Sequence, residues 1–175
     1  MSSFKKIILL FVFALLVVSC SAVRVMTDYD SDTNFFEYKT FAFYKKGIDK
    51  AKISDLDKRR ILKAIESELT AKGFVKSSNP DFLVSIYAKS RKKVNVDRRF
   101  NYPYDYWYPF YYHGRDRVRI TKYTEGTLFI DLIDKETKKL VWQGIGSGAL
   151  RAKTGTKKEE RIQLFVKEIL AKFEY

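Results

Sequence analysis

The spacing of apolar residues changes from segment to segment along this chain, and each spacing predicts a different element. Residues 7–18 form one unbroken apolar run, Ile-Ile-Leu-Leu-Phe-Val-Phe-Ala-Leu-Leu-Val-Val. As a helix it would be about 18 Å long, short of the roughly 20 residues a bilayer crossing needs. β-like stretches follow at 23–26 and 39–44, separated by a turn region rich in Asp and Asn. From Ser54 the period becomes helical. Ser54 and Asp57 make a capping pair, Ile61, Leu62, Ile65 and Leu69 recur on one side, and Gly73 stands where a C′ glycine would stop the helix. Asn79-Pro80 resets the chain. Phe82, Val84, Ile86 and Ala88 then alternate with Leu83, Ser85, Tyr87 and Lys89, as a strand requires. Two further strands are predicted at 115–123 and 126–134, a polar turn at 134–139, and a returning strand at 140–147 that forms a hairpin with the one before it. A second helix closes the chain, with Thr156 and Glu159 as a capping box and Ile162, Phe165, Val166, Ile169 and Phe173 along one face.

Alternating strands and one-sided helices together predict an α+β fold: a mainly antiparallel sheet with two helices packed on one face. Ile65 and Phe165 are the expected centres of that packing. Composition agrees, since 46% hydrophobic and 31% charged residues describe a globular chain rather than a disordered one.

The apolar run at 7–18 reads as the h-region of a secretory signal, with Lys5 and Lys6 ahead of it and Ser19-Cys20 behind. Leu16-Val17-Val18-Ser19-Cys20 resembles a bacterial lipobox, with Val17 at the position more often held by Leu. That resemblance implies cleavage before Cys20, diacylglycerol on its thiol and an acyl group such as palmitate on the new amine. Each buried CH₂ contributes about 0.8 kcal/mol, so several chains anchor stably where one does not. The expected organisation is a lipoprotein signal peptide at 1–19, the lipidated Cys20 and a short tether at 20–24, and a single α+β domain at 25–175. Cys20 is the one cysteine of the chain, so neither a disulfide nor thiol chemistry is expected after it. Ser21 follows Cys20, in place of the Asp that retains enteric lipoproteins at the inner membrane. Ser21-Ala22-Val23-Arg24 also carries no acid that would resemble a surface-export signal. The expected location is therefore the cell envelope, at the outer membrane, facing the periplasm.

A net charge of +13, or +11 without Lys5 and Lys6, would ordinarily suggest nucleic acid as the partner. Export removes that explanation and leaves anionic lipid, a glycan or an envelope protein as the expected partners.

Candidate chemistry is sparse. His113 is the only histidine and lies in a tyrosine-rich stretch without a nucleophile motif, so no catalytic, metal or cofactor site is expected there. Gly144-Ile145-Gly146-Ser147-Gly148 lacks the phosphate-loop spacing and has no helix directly after it. Glycines two apart on a strand instead leave one face bare for close approach of a helix or a neighbouring backbone. Asp28, Asp30 and Asp32 alternate as at the start of a calcium loop, but Asn34 and Tyr38-Lys39 stand where its Gly and Glu belong, so a solvated turn is expected. The unusual feature is the aromatic stretch 100–113. Its Tyr104, Tyr106, Trp107, Tyr108, Tyr111 and Tyr112 lie between basic clusters at 89–99 and 115–119 and form a candidate contact surface.

Three segments in order carry a family resemblance. They are Asp28-Tyr29-Asp30 with Tyr38-Lys39-Thr40-Phe41-Ala42-Phe43; Asn79-Pro80-Asp81-Phe82-Leu83-Val84; and Gly126-Thr127-Leu128-Phe129-Ile130-Asp131-Leu132-Ile133-Asp134 with Lys139-Leu140-Val141-Trp142-Gln143-Gly144. Together they resemble the bacterial envelope lipoproteins of domain-of-unknown-function family 4136. The resemblance implies the fold and the envelope location and supplies no catalytic residue. Lys138 stands where the hairpin turn of that family usually has Gly, which leaves a left-handed turn there unsecured.

The function expected from these readings is a lipid-anchored, non-enzymatic binding or scaffolding module. The alternative is a hydrolase acting on an envelope glycan or lipid through Asp131 and Asp134. Those two lie three apart on a strand and should point to opposite faces.

Overall fold

The computed structural model describes residues 23–99, 117–150 and 155–174. The apolar run at 7–18, Cys20, His113 and the six aromatic residues of the candidate contact surface lie outside them. In chain order the elements are β1 (Arg24–Tyr29), a 3-10 turn (Phe35–Glu37), β2 (Thr40–Phe43), α1 (Lys45–Asp49), α2 (Asp55–Ala71), β3 (Val75–Lys76), β4 (Phe82–Arg99), β5 (Arg117–Asp134), β6 (Leu140–Ala149) and α3 (Gly155–Leu170). The strands make one mixed sheet in the order β1-β6-β5-β4-β2-β3. β1–β6, β6–β5 and β5–β4 are antiparallel, whereas β2 runs parallel to both β3 and β4. The α+β expectation holds, with the sheet mixed at one edge. Parallel neighbours need a long crossover, and the segment through α1 and α2 supplies one.

Period-two patterning sets the core. Phe41 of β2, Phe82, Val84 and Ile86 of β4 and Leu128, Ile130 and Leu132 of β5 face the long helices and are buried, as are Ile65, Leu69, Val166 and Ile169 opposite them. Phe165, expected at the centre, is buried too. α3 lies tight against β6 because Gly144 and Gly146 have no side chain on that face. A β-carbon at Gly144 would sit 2.4 Å from Ile169 Cγ2, and one at Gly146 would sit 2.7 Å from Ile169 Cδ1. The glycine row thus permits helix approach, as its spacing predicted.

α2 starts and stops as its sequence dictates. Ser54 Oγ accepts from the Asp57 amide at 3.2 Å, filling one of the orphan donors of the first turn. At the far end Gly73 takes φ +95°. Its amide donates to Thr70 O, and the Phe74 amide donates to Leu69 O. These two bonds are those of a Schellman stop, and they turn Phe74 into the core. Phe74, Phe35 and Trp142 then ring Phe173, with centroids 5.8, 5.5 and 5.2 Å from its own.

Several sequence expectations need correction. The strands predicted at 115–123 and 126–134 are one strand. Gly126 does not break β5, because it pairs with Ser90 on one side and Gly148 on the other. β4 likewise runs on to Arg99 instead of ending near Lys89. β1 extends to Tyr29 instead of ending near Met26, and Val23 just ahead of it is buried. Thr156 lies within the first turn of α3 rather than before it. α1 and β3 are too short for a periodicity to reveal; α1 lies against β4 just past the last β2–β4 rung, where Tyr44 N donates to Val84 O at 2.8 Å.

Lys138 does adopt the left-handed conformation, with φ +59°. The turn is kept by Asp134, whose Oδ1 accepts from the Thr137 amide and hydroxyl at 2.6 and 2.8 Å. A non-glycine residue in that region costs about 1 kcal/mol or more, partly offset in the glycine variant by a freer unfolded chain. Lys138→Gly is therefore expected to raise the melting temperature by about 1–3 °C. A lower melting temperature in calorimetry would show that the lysine side chain contributes more than its backbone loses.

Candidate functional site

The helix layer covers one face of the sheet; the other is open across β1, β6, β5 and β4. One row of that open face crosses all four strands as Met26, Ile145, Phe129 and Tyr87, each paired with the next. The ends of this apolar row are open, Met26 at 66% and Tyr87 at 45% exposure, and Ile145 and Phe129 between them are half-buried. The Tyr87 and Phe129 rings lie 5.6 Å apart, and Lys89 Nζ sits over both at 5.7 and 5.3 Å. That geometry combines cation–π attraction with a flat aromatic surface.

Next to the stripe, toward the start of β1, lies a charge cluster that the sequence reading did not single out. Glu125 is buried at 2% exposure beneath three cations. Lys93 Nζ is 2.8 Å and Arg91 Nε 2.9 Å from its carboxylate, with an Arg24 guanidinium nitrogen at 3.7 Å. The hydrogen bond from Lys93 holds the carboxyl below its ordinary range, Arg91 adds to the effect, and burial opposes it. One carboxylate under three cations leaves this end positive and joins β1, β4 and β5 where the sheet narrows. Only the register could have revealed the cluster, because it sets Arg91 opposite Glu125 across 34 residues of sequence.

Beyond Glu125 only β4 and β5 continue, paired down to Arg99 and Arg117 as a two-stranded arm. Eight rungs at about 3.4 Å each project it roughly 27 Å from the sheet. Val94, Val96 and Ile120 are exposed along one side of it, beside Lys92 and Lys122.

A groove opens at the same end, between the first turns of the long helices and the sheet. It has a volume of about 320 Å³ and an apolar wall that includes Ile53, Ile61, Leu128, Leu150, Ile162 and Phe165. Its charged residues are Lys52, Asp57, Lys89, Lys158 and Arg161, and Ser90 and Thr127 also border it. Asp57 is partly buried, which pushes its carboxyl up, but Lys158 at 2.6 Å, Ser54 and Arg60 at 3.1 Å outweigh this and hold it below the usual range.

Other candidate groups are held in structural roles. Asp131 and Asp134 are not brought together. Burial raises the Asp131 carboxyl, which accepts from Gln143 Nε2 at 2.7 Å on the open face. Asp134 accepts from the Tyr38 hydroxyl at 2.8 Å and organises the β5–β6 turn. Asp28 and Asp30 accept from the amides of Tyr29 and Asp32 in an exposed turn. Among the described residues no group of His, Cys, Asp and Glu is placed to hold a metal, and no helix there is long and apolar enough to cross a membrane.

Acid should loosen the fold through the carboxylates whose pKa is lowered. Asp81 Oδ2 accepts from the Lys39 amide at 2.9 Å and from the Thr40 amide and hydroxyl at 2.8 Å, which clamps β2 to the start of β4. The Lys39 amide is the largest influence holding it below its ordinary range, and Asp57, Asp134 and Glu125 are shifted the same way. A carboxyl that is more acidic in the folded state stabilises above its unfolded pKa of about 3.9, and that contribution is lost as pH falls through the folded value. Asp131, raised, acts with the opposite sign. The melting temperature is expected to fall from about pH 5 downward, and Asp81→Asn should flatten the slope while lowering the plateau. An unchanged slope in that variant would remove Asp81 from the clamp.

A mixed sheet with helices on one face, an open opposite face and a projecting arm defines a small α+β domain. The chain belongs to the family described as domain of unknown function DUF4136, whose profile matches residues 25–173. No curated protein matches the sequence. Among solved structures, a PDZ domain protein from Parabacteroides distasonis is similar at 18% identity and a TM-score of 0.52, over 94% of this chain. This chain spans 40% of the length of that protein. Two crystal forms of the PelC dodecamer from Paraburkholderia phytofirmans are similar at 14% and 13% identity, both at a TM-score of 0.48, over 85% of this chain and 95% and 96% of theirs. These likenesses concern the fold.

Proposed function

We propose that this protein is a lipid-anchored, non-enzymatic binding or scaffolding module of the cell envelope that makes its contacts through the open sheet face and the cationic end beside it. The stripe from Met26 through Ile145 and Phe129 to Tyr87 carries this reading, since a partly exposed apolar row ending in an aromatic pair is the kind of surface that a partner covers. The short tether predicted by the sequence supports lipidation at Cys20. Two residues, Ser21 and Ala22, separate Cys20 from the buried Val23, a reach of about 10 Å, so the Arg24, Arg91 and Lys93 cations would lie close to anionic headgroups. Each such cation contributes about 1 kcal/mol at a charged membrane surface. Ser21 argues for the outer membrane and a periplasm-facing domain. Tyr104, Tyr106, Trp107, Tyr108, Tyr111 and Tyr112 extend the candidate contact surface at the sequence level.

Cells fed labelled palmitate should incorporate it into the wild-type chain and not into Cys20→Ala. Photocrosslinkers at Tyr87 and at Met26 should each trap the same envelope component, while crosslinkers on the outer faces of α2 and α3 should not. Equal trapping from the helix side would sink the proposed face, and palmitate on Cys20→Ala would sink the anchor.

A further inference from the structure

The groove between α2, α3 and β5 lies on the helix side of the sheet, away from the open face, and its chemistry is of a different kind. We propose that it binds a single-chain anionic amphiphile, a fatty acid whose alkyl chain lies on the apolar wall and whose carboxylate meets Arg161 and Lys52. This goes beyond the envelope-binding reading and does not depend on it.

Charge comes first. Lys52, Lys89, Lys158 and Arg161 line the groove, Lys89 with its Nζ turned to the Tyr87 and Phe129 rings, and the one carboxylate among its described residues is Asp57. Asp57 is already taken on both oxygens, by Lys158 on one and Arg60 on the other. Lys52 and Arg161 have no carboxylate partner among the described residues, so the site is short of negative charge.

Arg161 is the sharper observation. Its guanidinium lies over the Phe165 ring, 4.9 Å from the centroid, which fixes the plane of the group. Its Nε is inaccessible to solvent and has no hydrogen-bond partner among the described residues. One Nη reaches only the Ala149 carbonyl, at 3.5 Å. A buried donor without an acceptor is uncommon in folded proteins and marks a place where an acceptor belongs. A guanidinium edge held in a fixed plane suits the two oxygens of a carboxylate.

The remaining wall selects what that carboxylate is attached to. Ile53, Ile61, Leu128, Leu150, Ile162 and Phe165 make up most of it, with Ser90 and Thr127 its only uncharged polar side chains among the described residues, so the surface suits an alkyl chain better than a sugar or a peptide. Leu150 is half exposed at the rim and would be covered by a bound chain. The volume of about 320 Å³ is at the lower end for ligand pockets, enough for one alkyl chain and too small for the two of a phospholipid.

The test uses the full chain in phosphatidylcholine nanodiscs and a photoactivatable palmitate, with the matching photoactivatable hexadecanol as control. Adducts of the acid are expected on the α3 segment containing Ile162 and Phe165 and on β5 around Leu128, and unlabelled palmitate should compete them away. The alcohol should label these segments about tenfold less, the usual effect of losing one charge-assisted hydrogen bond. Leu128→Trp, which fills the groove, should abolish the adducts. Arg161→Gln should weaken them about as much as replacing acid by alcohol. If Arg161→Gln does not melt cooperatively, Lys52→Gln, on an exposed side chain, tests the charge term and should lower labelling several-fold. Equal labelling by acid and alcohol, adducts confined to other segments, or labelling unchanged by Leu128→Trp would each overturn the proposal.

Discussion

Phe173→Ala is expected to cost about 3–5 kcal/mol of folding stability, the range for emptying a buried aromatic site. The residue lies three positions beyond the end of α3, where a chain terminus would ordinarily fray. Its ring is fully buried among Phe35, Phe74 and Trp142. Those partners come from the 3-10 turn, the exit of α2 and β6, so one side chain ties four parts of the molecule together. Its carbonyl also accepts from Lys72 Nζ at 2.9 Å, fixing the tail to the end of α2. The cavity left by alanine would border rigid aromatic rings that cannot collapse into it, which puts the loss toward the upper end. Phe173→Leu should cost clearly less. Denaturant unfolding of both variants gives the comparison, and a loss below about 1 kcal/mol for alanine would mean that the tail is not docked in solution.

Gly144→Val is the second large effect. Its β-carbon would already overlap Ile169 and Trp142, so α3 must move outward or β6 must bend. Overpacking of this kind costs about 1–3 kcal/mol, and more where both neighbours are rigid. Part of the clash is with Ile169 alone, so Gly144→Val combined with Ile169→Ala should be less destabilising than the two single changes summed. Additive losses in that cycle would show that the helix does not rest on the glycine row.

Much of this architecture was legible in the sequence because the signals were local. The Ser54 cap, the Gly73 stop and the alternation from Phe82 onward each report on a few neighbouring residues, and each appears in the structure. The bare glycine face was legible for the same reason. Strand direction was not, since the parallel placement of β2 beside β4 depends on where the crossover through α1 and α2 returns the chain. Strand length is not legible at Gly126, where ladder pairing on both sides overrides the residue's weak strand preference. At Lys138 the Asp134-centred turn overrides the preference for glycine. The Glu125 cluster and the Arg161 groove were invisible because their parts lie far apart in sequence. Nothing but the register and the helix packing brings them together.

The position of β1 has a kinetic consequence. The first strand of the domain pairs only with the last, residue 24 opposite residue 147. Loop closure over such a span is entropically slow, and pairings of high sequence separation retard folding generally. β4, β5 and β6 are joined more locally and can associate before β1 arrives, as can α3 against the glycine row. During that interval β6 is an edge strand with unpaired amides and carbonyls from Trp142 to Ser147, open to pairing with another chain. A variant that delays or weakens β1, such as one carrying proline at Thr27, should therefore populate intermolecular species during refolding in proportion to its concentration, even where the finished fold tolerates the change.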